Sequence, residues 1–206
     1  MFQNDSCTFR LAGAEDAAPI ARLVNTAYDG DGGRAGWTNE MHLVCGQRTD
    51  ETEIRELVAA QEIVMLLCLI AGEIVGSVLL QRRPGTAYLG MFVVKPKLQA
   101  AGLGKSLMRT AETLVQRLWG ARRMTMTSIT LRPELIEFYK RRGYRLTGEF
   151  VPFPAAERAR ARVAGIELAV LEKEFAAPAS PGHLPALTVR QPHSRTATQA
   201  CTDTDR

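Results

Sequence analysis

The sequence feature that most constrains the fold is a strand, a glycine-containing bend and a helix that follow one another directly. Residues 88–94 are apolar and rich in strand formers, and Pro96 closes the run. After Gly102 and Gly104, apolar residues recur at helical spacing as far as Trp119. The first turn of a helix carries unpaired N–H groups and the positive end of the helix dipole, and glycine lets an anion approach the backbone closely. The sequence therefore predicts a phosphate-binding turn at the start of this helix.

Three known motifs compete for this bend. A P-loop needs a glycine where Gln99 stands, and a dinucleotide fingerprint starting at Gly102 needs Gly or Ala where Leu107 stands. These departures argue against a nucleotide-hydrolysing or dinucleotide-dependent enzyme. The third motif, Gln/Arg-x-x-Gly-x-Gly/Ala, is matched by residues 99–104. An ordinary strand-to-helix turn with two permissive glycines is the alternative that the bend alone leaves open.

A second motif follows at residues 136–144, Ile-Glu-Phe-Tyr-Lys-Arg-Arg-Gly-Tyr. It predicts a helix that carries Tyr139 and ends at Gly143, with three cations in the last turn where they suit the negative end of the helix dipole. The two motifs, in this order and at this spacing, resemble those of the GNAT superfamily of N-acetyltransferases. The resemblance extends over roughly residues 8–175. Gly-Trp-Thr-x-Glu at residues 36–40 also looks like an uncharacterised branch of that superfamily.

The pattern of apolar residues predicts a mixed α/β (α+β) fold. The resemblance implies one domain over residues 1–175, with a mixed central sheet of six to seven strands and about four to five helices. Residues 176–206 contain scattered prolines and no apolar period, which predicts a disordered, dispensable tail. The connection 154–165 is predicted as a loop or a short helix. The predicted strands are 8–11, 63–70, 74–81, 87–94, 122–129, 144–153 and 166–174, and the predicted helices end near 28, 60, 119 and 142.

Composition narrows the possible partners and compartments. The net charge of +4 is modest, and no basic stripe interleaved with aromatics indicates nucleic-acid binding. No apolar run is long enough to span a membrane, and the N-terminus does not read as a secretory signal. The four cysteines lack metal-ligand spacing, which favours free thiols in a reducing compartment. We therefore expect a cytoplasmic protein without a metal, membrane or nucleic-acid partner, and its oligomeric state, monomer or homodimer, stays open.

The resemblance implies that acetyl-CoA binds where two neighbouring strands, 87–94 and 124–129, separate. The pantetheine arm is expected to pair with backbone groups of the first strand, and the pyrophosphate with N–H groups of the bend. Gly90 inside the first strand predicts a β-bulge or a close backbone approach. The predicted coenzyme-binding residues are Phe92, Val93, Val94, Gln99, Ala100, Ala101, Gly102, Leu103, Gly104, Lys105 and Ser106.

The resemblance also assigns the catalytic residues. Tyr139 stands at the family's usual general-acid position, with packing plus a hydrogen bond as its alternative role. Positions where some relatives carry a glutamate base on the fourth strand hold Leu89, Gly90 and Met91 here, so the base is open and Glu40 is the best local carboxylate.

The predicted acceptor contacts come from the segment before the second strand. They are Trp37, Glu40 and Arg48, with His42 as a further candidate, and each has a structural alternative as a core or surface residue. The resulting hypothesis is transfer of an acetyl group from acetyl-CoA to a small-molecule or peptide primary amine, by direct attack in a ternary complex. The alternative is a non-catalytic, regulatory acyl-CoA-binding module of the same fold.

Overall fold

Seven strands form one mixed sheet at the centre of the structure, a computed structural model that describes residues 7–29, 40, 42–99, 101–158 and 160–176. The strands are β1 Thr8–Leu11, β2 Ile63–Ile70, β3 Glu73–Arg83, β4 Thr86–Val94, β5 Arg123–Ile129, β6 Arg145–Pro152 and β7 Glu167–Glu174. Their order across the sheet is β1-β2-β3-β4-β5-β7-β6, and the β4–β5 pair alone is parallel. The predicted mixed sheet is thus confirmed at the upper end of the expected strand number.

Four helices and one single-turn helix connect the strands. They are α1 Ala17–Asp29, α2 Glu51–Ala59, α3 Leu103–Trp119, α4 Pro133–Lys140 and α5 Ala155–Arg158. Local signals explain their ends: the Asp50 side chain accepts from the Glu53 N–H at 2.8 Å, and Gly120 closes α3 with φ of 61°. The α4 helix ends two residues before the predicted end, and the 154–165 connection contains the short helix α5.

The helices cover the two faces of the sheet and create two apolar cores. On one face, α1 and α2 bury Ile20 and Ile54 against β2 and β3 side chains. On the other face, α3 buries Leu107 against the opposite side of the same strands. Because β2 is covered on both faces, its sequence is a continuous apolar run rather than an alternating one. Within the described ranges, no helix is long and apolar enough to span a membrane.

A third, smaller core joins two segments that are distant in sequence. It contains Leu43, Val44, Ile129, Phe153 and Ile166. An isolated antiparallel bridge between residues 44 and 161 adds backbone pairing at the same place. The segment after residue 40 is thereby fixed to the β6–β7 connection.

The parallel pair β4–β5 separates partway along its length. The ladder between the two strands ends at the pair Leu89 and Met126. Directly afterwards β4 contains a bulge against β3, since Gly90 pairs with Leu79 but Val93 pairs with Ser77. Met91 in this bulge has φ of 44°, which is uncommon for a residue with a side chain. The predicted separation of the strands and the bulge beside Gly90 are both present, and they leave a β4–β5 gap.

Candidate active site

The start of α3 is an open helix N-terminus beside the β4–β5 gap. Gly102 precedes the helix with φ of 83°, a left-handed conformation that side chains other than glycine adopt with strain. No side chain caps this end, and the first intrahelical bond runs from the Ser106 N–H to the Gly102 carbonyl. The N–H groups of the first turn therefore remain available to an anion.

A first cavity of about 320 Å³ lies in front of this helix start. Its apolar wall is made by side chains of β4 and α4, and its rim carries Lys105, Arg141 and Arg142. None of these three cations forms an ion pair within the part of the chain that the structure describes. An apolar groove with three cations and an open helix start suits a ligand that is both apolar and phosphorylated. The lining residues are Phe92, Val94, Gln99, Gly102, Gly104, Lys105, Leu135, Phe138, Tyr139, Arg141 and Arg142.

Contacts within the first cavity fix its shape. The Arg142 guanidinium lies 3.3 Å from the ring centroid of Phe138 and donates to the Phe138 carbonyl at 2.6 Å. Burial, together with the neighbouring Arg141 charge, lowers the pKa of Arg142. A Cβ atom at Gly104 would lie 3.7 to 3.8 Å from Phe92, Phe138 and Val94 side chains, an ordinary contact distance. The position therefore admits Gly or Ala, as the motif allows, while larger side chains would enter the groove.

A second cavity of about 230 Å³ lies beside the β4–β5 gap, since residues of both strands line it. It shares Phe92 and Tyr139 with the first cavity, so these two residues form a common wall. The second cavity is lined by Tyr28, Glu40, Arg48, Tyr88, Leu89, Gly90, Met91, Phe92, Met126, Thr127, Ser128, Ile129, Tyr139, Phe153, Pro154 and Leu168. Its walls therefore combine aromatic and aliphatic surface with polar groups.

Glu40 and two arginines form a buried charge cluster at the second cavity. The Arg48 Nη2 atom lies 2.9 Å from Glu40 Oε2, and the Arg132 Nη1 atom lies 3.7 Å from Glu40 Oε1. The Glu40 side chain is 9% exposed, and the Arg48 guanidinium also lies 4.7 Å from the ring centroid of Tyr28. Both guanidinium groups lie within ion-pair distance of the Glu40 carboxylate, and Arg132 also pairs with Glu134.

Tyr139 is buried where the two cavities meet. Its ring makes edge-to-face contacts with Phe138 at 5.4 Å and with Tyr144 at 6.2 Å between centroids. Burial and the nearby charge of Glu40 raise the pKa of its phenol above the ordinary value, so the group keeps its proton at neutral pH. Within the described residues, its hydroxyl makes no hydrogen bond, whereas the Tyr144 hydroxyl donates to Glu112 Oε1 at 3.1 Å.

The other predicted coenzyme residues occupy varied places. The Gln99 Nε2 atom donates to the Val94 carbonyl at 2.9 Å and ties the bend to the end of β4. The Val93 side chain is fully buried in the α1–α2 core, so only its backbone can face the gap. Ala101, Leu103 and Ser106 do not line the first cavity, and Ala100 lies outside the described residues.

The predicted acceptor residues divide in a similar way. Glu40 and Arg48 form an ion pair at the second cavity, while His42 is exposed and lines neither cavity. Trp37 and most of the predicted tail, residues 177–206, lie outside the described residues.

Several lining residues were not predicted as site residues from the sequence. Tyr28 and Tyr88 both line the second cavity, and the Tyr88 hydroxyl lies 3.1 Å from the Thr127 Oγ1 atom on β5. Tyr28 follows Val24 by four residues on the apolar face of α1, where an aromatic with a polar tip was an available signal. Tyr88 and Thr127 carried no comparable signal, because their contact depends on the pairing of β4 with β5.

Comparisons with known proteins agree with this arrangement. A family model described as Acetyltransferase (GNAT) family matches residues 35–144, more than half of the chain. A search of curated proteins found no significant match. The chain belongs to the GNAT family of acetyltransferases, and its mixed sheet is that family's fold.

Solved structures share the fold at low sequence identity. The IAA acetyltransferase from Bacillus cereus ATCC 14579 matches with a TM-score of 0.59 and 16% identity, covering 82% of this chain and 100% of that one. The PaiA N-acetyltransferase from Thermoplasma acidophilum, solved in complex with coenzyme A, matches with a TM-score of 0.57 and 15% identity, covering 82% of this chain and 99% of that one. The ribosomal-protein-S18-alanine N-acetyltransferase from Escherichia coli matches with a TM-score of 0.62 and 12% identity, covering 87% of this chain and 100% of that one.

Proposed function

We propose that this chain transfers an acetyl group from acetyl-CoA to a primary amine, by direct attack of the amine in a ternary complex. The observation that carries the proposal is the common wall of the two cavities. Tyr139 and Phe92 line the first cavity on the side of α3 and the second cavity beyond the β4–β5 gap. A donor in one cavity and an acceptor in the other would therefore meet beside the Tyr139 hydroxyl.

The first cavity fits the donor. Its cationic rim and open helix start suit the pyrophosphate, and its apolar wall suits the pantetheine arm. Beyond Leu89, the edge of β4 that faces β5 has no ladder partner, so the backbone of residues 92–94 can pair with amide groups of that arm. A structural relative solved in complex with coenzyme A supports this assignment.

The chemistry needs two proton movements. The amine nitrogen attacks the thioester carbonyl carbon, the carbon–sulfur bond breaks, and the leaving thiolate takes a proton. Tyr139 is the proposed donor of that proton, because its pKa is raised and its hydroxyl is not committed to another described group. The proton that the amine loses passes to water and on to the Tyr139 phenolate, which restores the phenol, and the four cysteines need take no part.

Glu40 is the carboxylate that faces the acceptor. Within the described residues, it is the only acidic side chain that lines the second cavity. A catalytic role for Glu40 stays a proposal, and its carboxylate oxygens can accept a hydrogen bond that orients the acceptor amine. Arg48, and Trp37 outside the described residues, are proposed acceptor contacts as in the sequence hypothesis.

A second candidate function is a non-catalytic acyl-CoA-binding module, because Leu89, Gly90 and Met91 stand where some relatives carry a glutamate base. Release of free thiol from acetyl-CoA, measured with a broad collection of amines and peptides, separates the two. Turnover with any acceptor supports the enzyme. Acetyl-CoA binding without turnover of any tested acceptor supports the binding module. Absence of acetyl-CoA binding contradicts both candidate functions.

The cellular compartment, the acceptor class, the oligomeric state and the branch of the family are further proposals. Cys7, Cys45 and Cys68 are free thiols, which supports a reducing compartment such as the cytoplasm. The acceptor is a small molecule or a peptide, and the protein is a monomer or a homodimer. Membership of the Gly-Trp-Thr-x-Glu branch rests on residues 36–40, of which the structure describes Glu40.

A further inference from the structure

Ser128 on β5 has a buried hydroxyl without a hydrogen-bond partner. The residue is 6% exposed, and its Oγ atom has no partner in the described structure. The neighbouring strand offers none, because the residue opposite Ser128 on β7 is Ala169. Burying a hydroxyl without a hydrogen bond is unfavourable, so such a group needs an explanation.

The position of Ser128 suggests what completes its hydrogen bonding. It lies two residues beyond Met126, where the β4–β5 ladder ends. Side chains alternate along a strand, so Ser128 shares the face of Met126, which is the face covered by α3. Ser128 lines the second cavity together with Tyr139 and does not line the first. The part of a bound donor that would reach it is the acyl end, which must pass through the gap, and not the pantetheine arm.

Ser77 on β3 offers a comparison within the same sheet. Its hydroxyl is also buried without a partner, and the residue is fully buried. It pairs with Leu67 and Val93 inside the sheet and lines neither cavity. The two serines therefore share a buried hydroxyl without a hydrogen-bond partner, but of the two only Ser128 lies beside the β4–β5 gap.

We propose that Ser128 is a donor-binding residue whose hydroxyl donates a hydrogen bond to the thioester carbonyl oxygen of bound acetyl-CoA. This inference rests on the proposed function, since it takes acetyl-CoA as the donor. A hydroxyl with no competing partner in the protein is free to turn toward the ligand, and the thioester carbonyl supplies the missing acceptor. Coenzyme A without the acetyl group has no such oxygen and gains nothing from Ser128.

The test uses the full chain and the matched variants Ser128→Ala and Ser77→Ala. Affinities for acetyl-CoA and for coenzyme A are measured by titration calorimetry, and melting temperatures without ligand are measured in parallel. Both variants should melt at or above the wild-type temperature, because each loses an unpartnered buried hydroxyl. Ser128→Ala should weaken acetyl-CoA binding by about 2-fold to 12-fold, the range of one typical net hydrogen bond, and leave coenzyme A binding unchanged. Ser77→Ala should change neither affinity.

Three results would overturn the assignment: an unchanged acetyl-CoA affinity in Ser128→Ala, an equal loss for acetyl-CoA and coenzyme A, or equal losses in both variants. Ser128→Cys gives a second measurement, since the thiol has a similar shape but is a weak donor, and it should also weaken acetyl-CoA binding. Wild-type protein that does not bind acetyl-CoA would contradict the proposed function itself. Wild-type binding that is indifferent to Ser128 contradicts this inference alone.

Discussion

Replacing Tyr139 by phenylalanine removes one hydroxyl and leaves the packing of the ring intact. The edge-to-face contacts with Phe138 and Tyr144 involve ring atoms, which phenylalanine retains. Within the described residues, the hydroxyl forms no hydrogen bond, so its removal breaks none in the ligand-free protein. We therefore expect the melting temperature to change by no more than about 2 °C. Acetyl-CoA affinity should also change little, because the proposed phosphate and pantetheine contacts lie elsewhere.

The expected effect on the chemical step is much larger. Loss of a general acid typically lowers the rate by about 10²-fold to 10⁴-fold, which corresponds to roughly 3 to 5 kcal/mol of transition-state stabilisation. Burial and the charge of Glu40 raise the pKa of the phenol above its ordinary value of about 10. The protonated form is the active one, so any loss of rate from ionisation of Tyr139 should occur as the pH rises above about 10. Between pH 6 and 9, titration of Tyr139 should not shape the wild-type profile.

Single-turnover thiol release from acetyl-CoA, with the best amine found by screening, measures this step directly. The Tyr139→Phe protein is compared with wild type at matched saturation, and Tyr144→Phe is a control tyrosine that lines neither cavity. A Tyr139→Phe rate above about half of the wild-type rate would refute the acid role, since that role implies a loss of at least about 10²-fold. Tyr139 would then be a packing residue, and the thiolate would take its proton from water or from the acceptor.

Three further predictions address the coenzyme bend, the charge cluster and the tail. Gly102→Val forces a β-branched residue into a φ of 83° and should weaken acetyl-CoA binding more than 10-fold, measured by calorimetry. The exposed control Arg82→Ala should bind normally, and normal binding by a folded Gly102→Val protein would contradict the proposed phosphate site. Glu40→Gln removes the carboxylate charge that pairs with the buried guanidinium group of Arg48 and should lower the free energy of unfolding by about 3 kcal/mol in urea titrations. The matched change Glu51→Gln in an exposed ion pair should lower it by less than about 0.5 kcal/mol, and equal small losses would contradict the buried cluster. A chain that ends at residue 177 should keep its melting temperature and its acetyl-CoA affinity, and a loss of several degrees would show that the tail docks on the domain.

The elements of the fold were predictable because their signals are local. The run from Ile63 to Ile70 is apolar at every position, as expected for a strand covered on both faces. Gly102, Gly120 and Gly143 mark turns where the backbone adopts positive φ, and all three were visible as helix or strand boundaries. The gap was an implication of the family resemblance, and the end of the β4–β5 ladder at Leu89 and Met126 agrees with it.

The composition of the second cavity was less predictable, because it depends on contacts between distant parts of the chain. Glu40 meets Arg132, which immediately precedes α4, although the two residues are far apart in the sequence. Ser128 and Thr127 are ordinary strand residues in the sequence, and their environments arise because both lie beyond the end of the β4–β5 ladder, beside the gap. Residue type and spacing carry no information about such contacts, whereas they do indicate the glycine bend and the helix that carries Tyr139.

The small core around Leu43, Val44 and Phe153 has a consequence for motion. Among the described residues, the same two segments share the bridge of residues 44 and 161, with backbone bonds from Cys45 to Arg160 and from Arg162 to Leu43, and side-chain bonds from Cys45 to Arg160 and from Arg160 to Gln47. A contact region of this size should open locally at a lower free energy than the central strands, which are paired on both sides. The two segments can therefore separate while the seven-stranded sheet stays folded, and amide hydrogens of Cys45 and Arg162 should exchange with solvent well before those of β2. Local opening at this core would widen the second cavity without global unfolding of the domain.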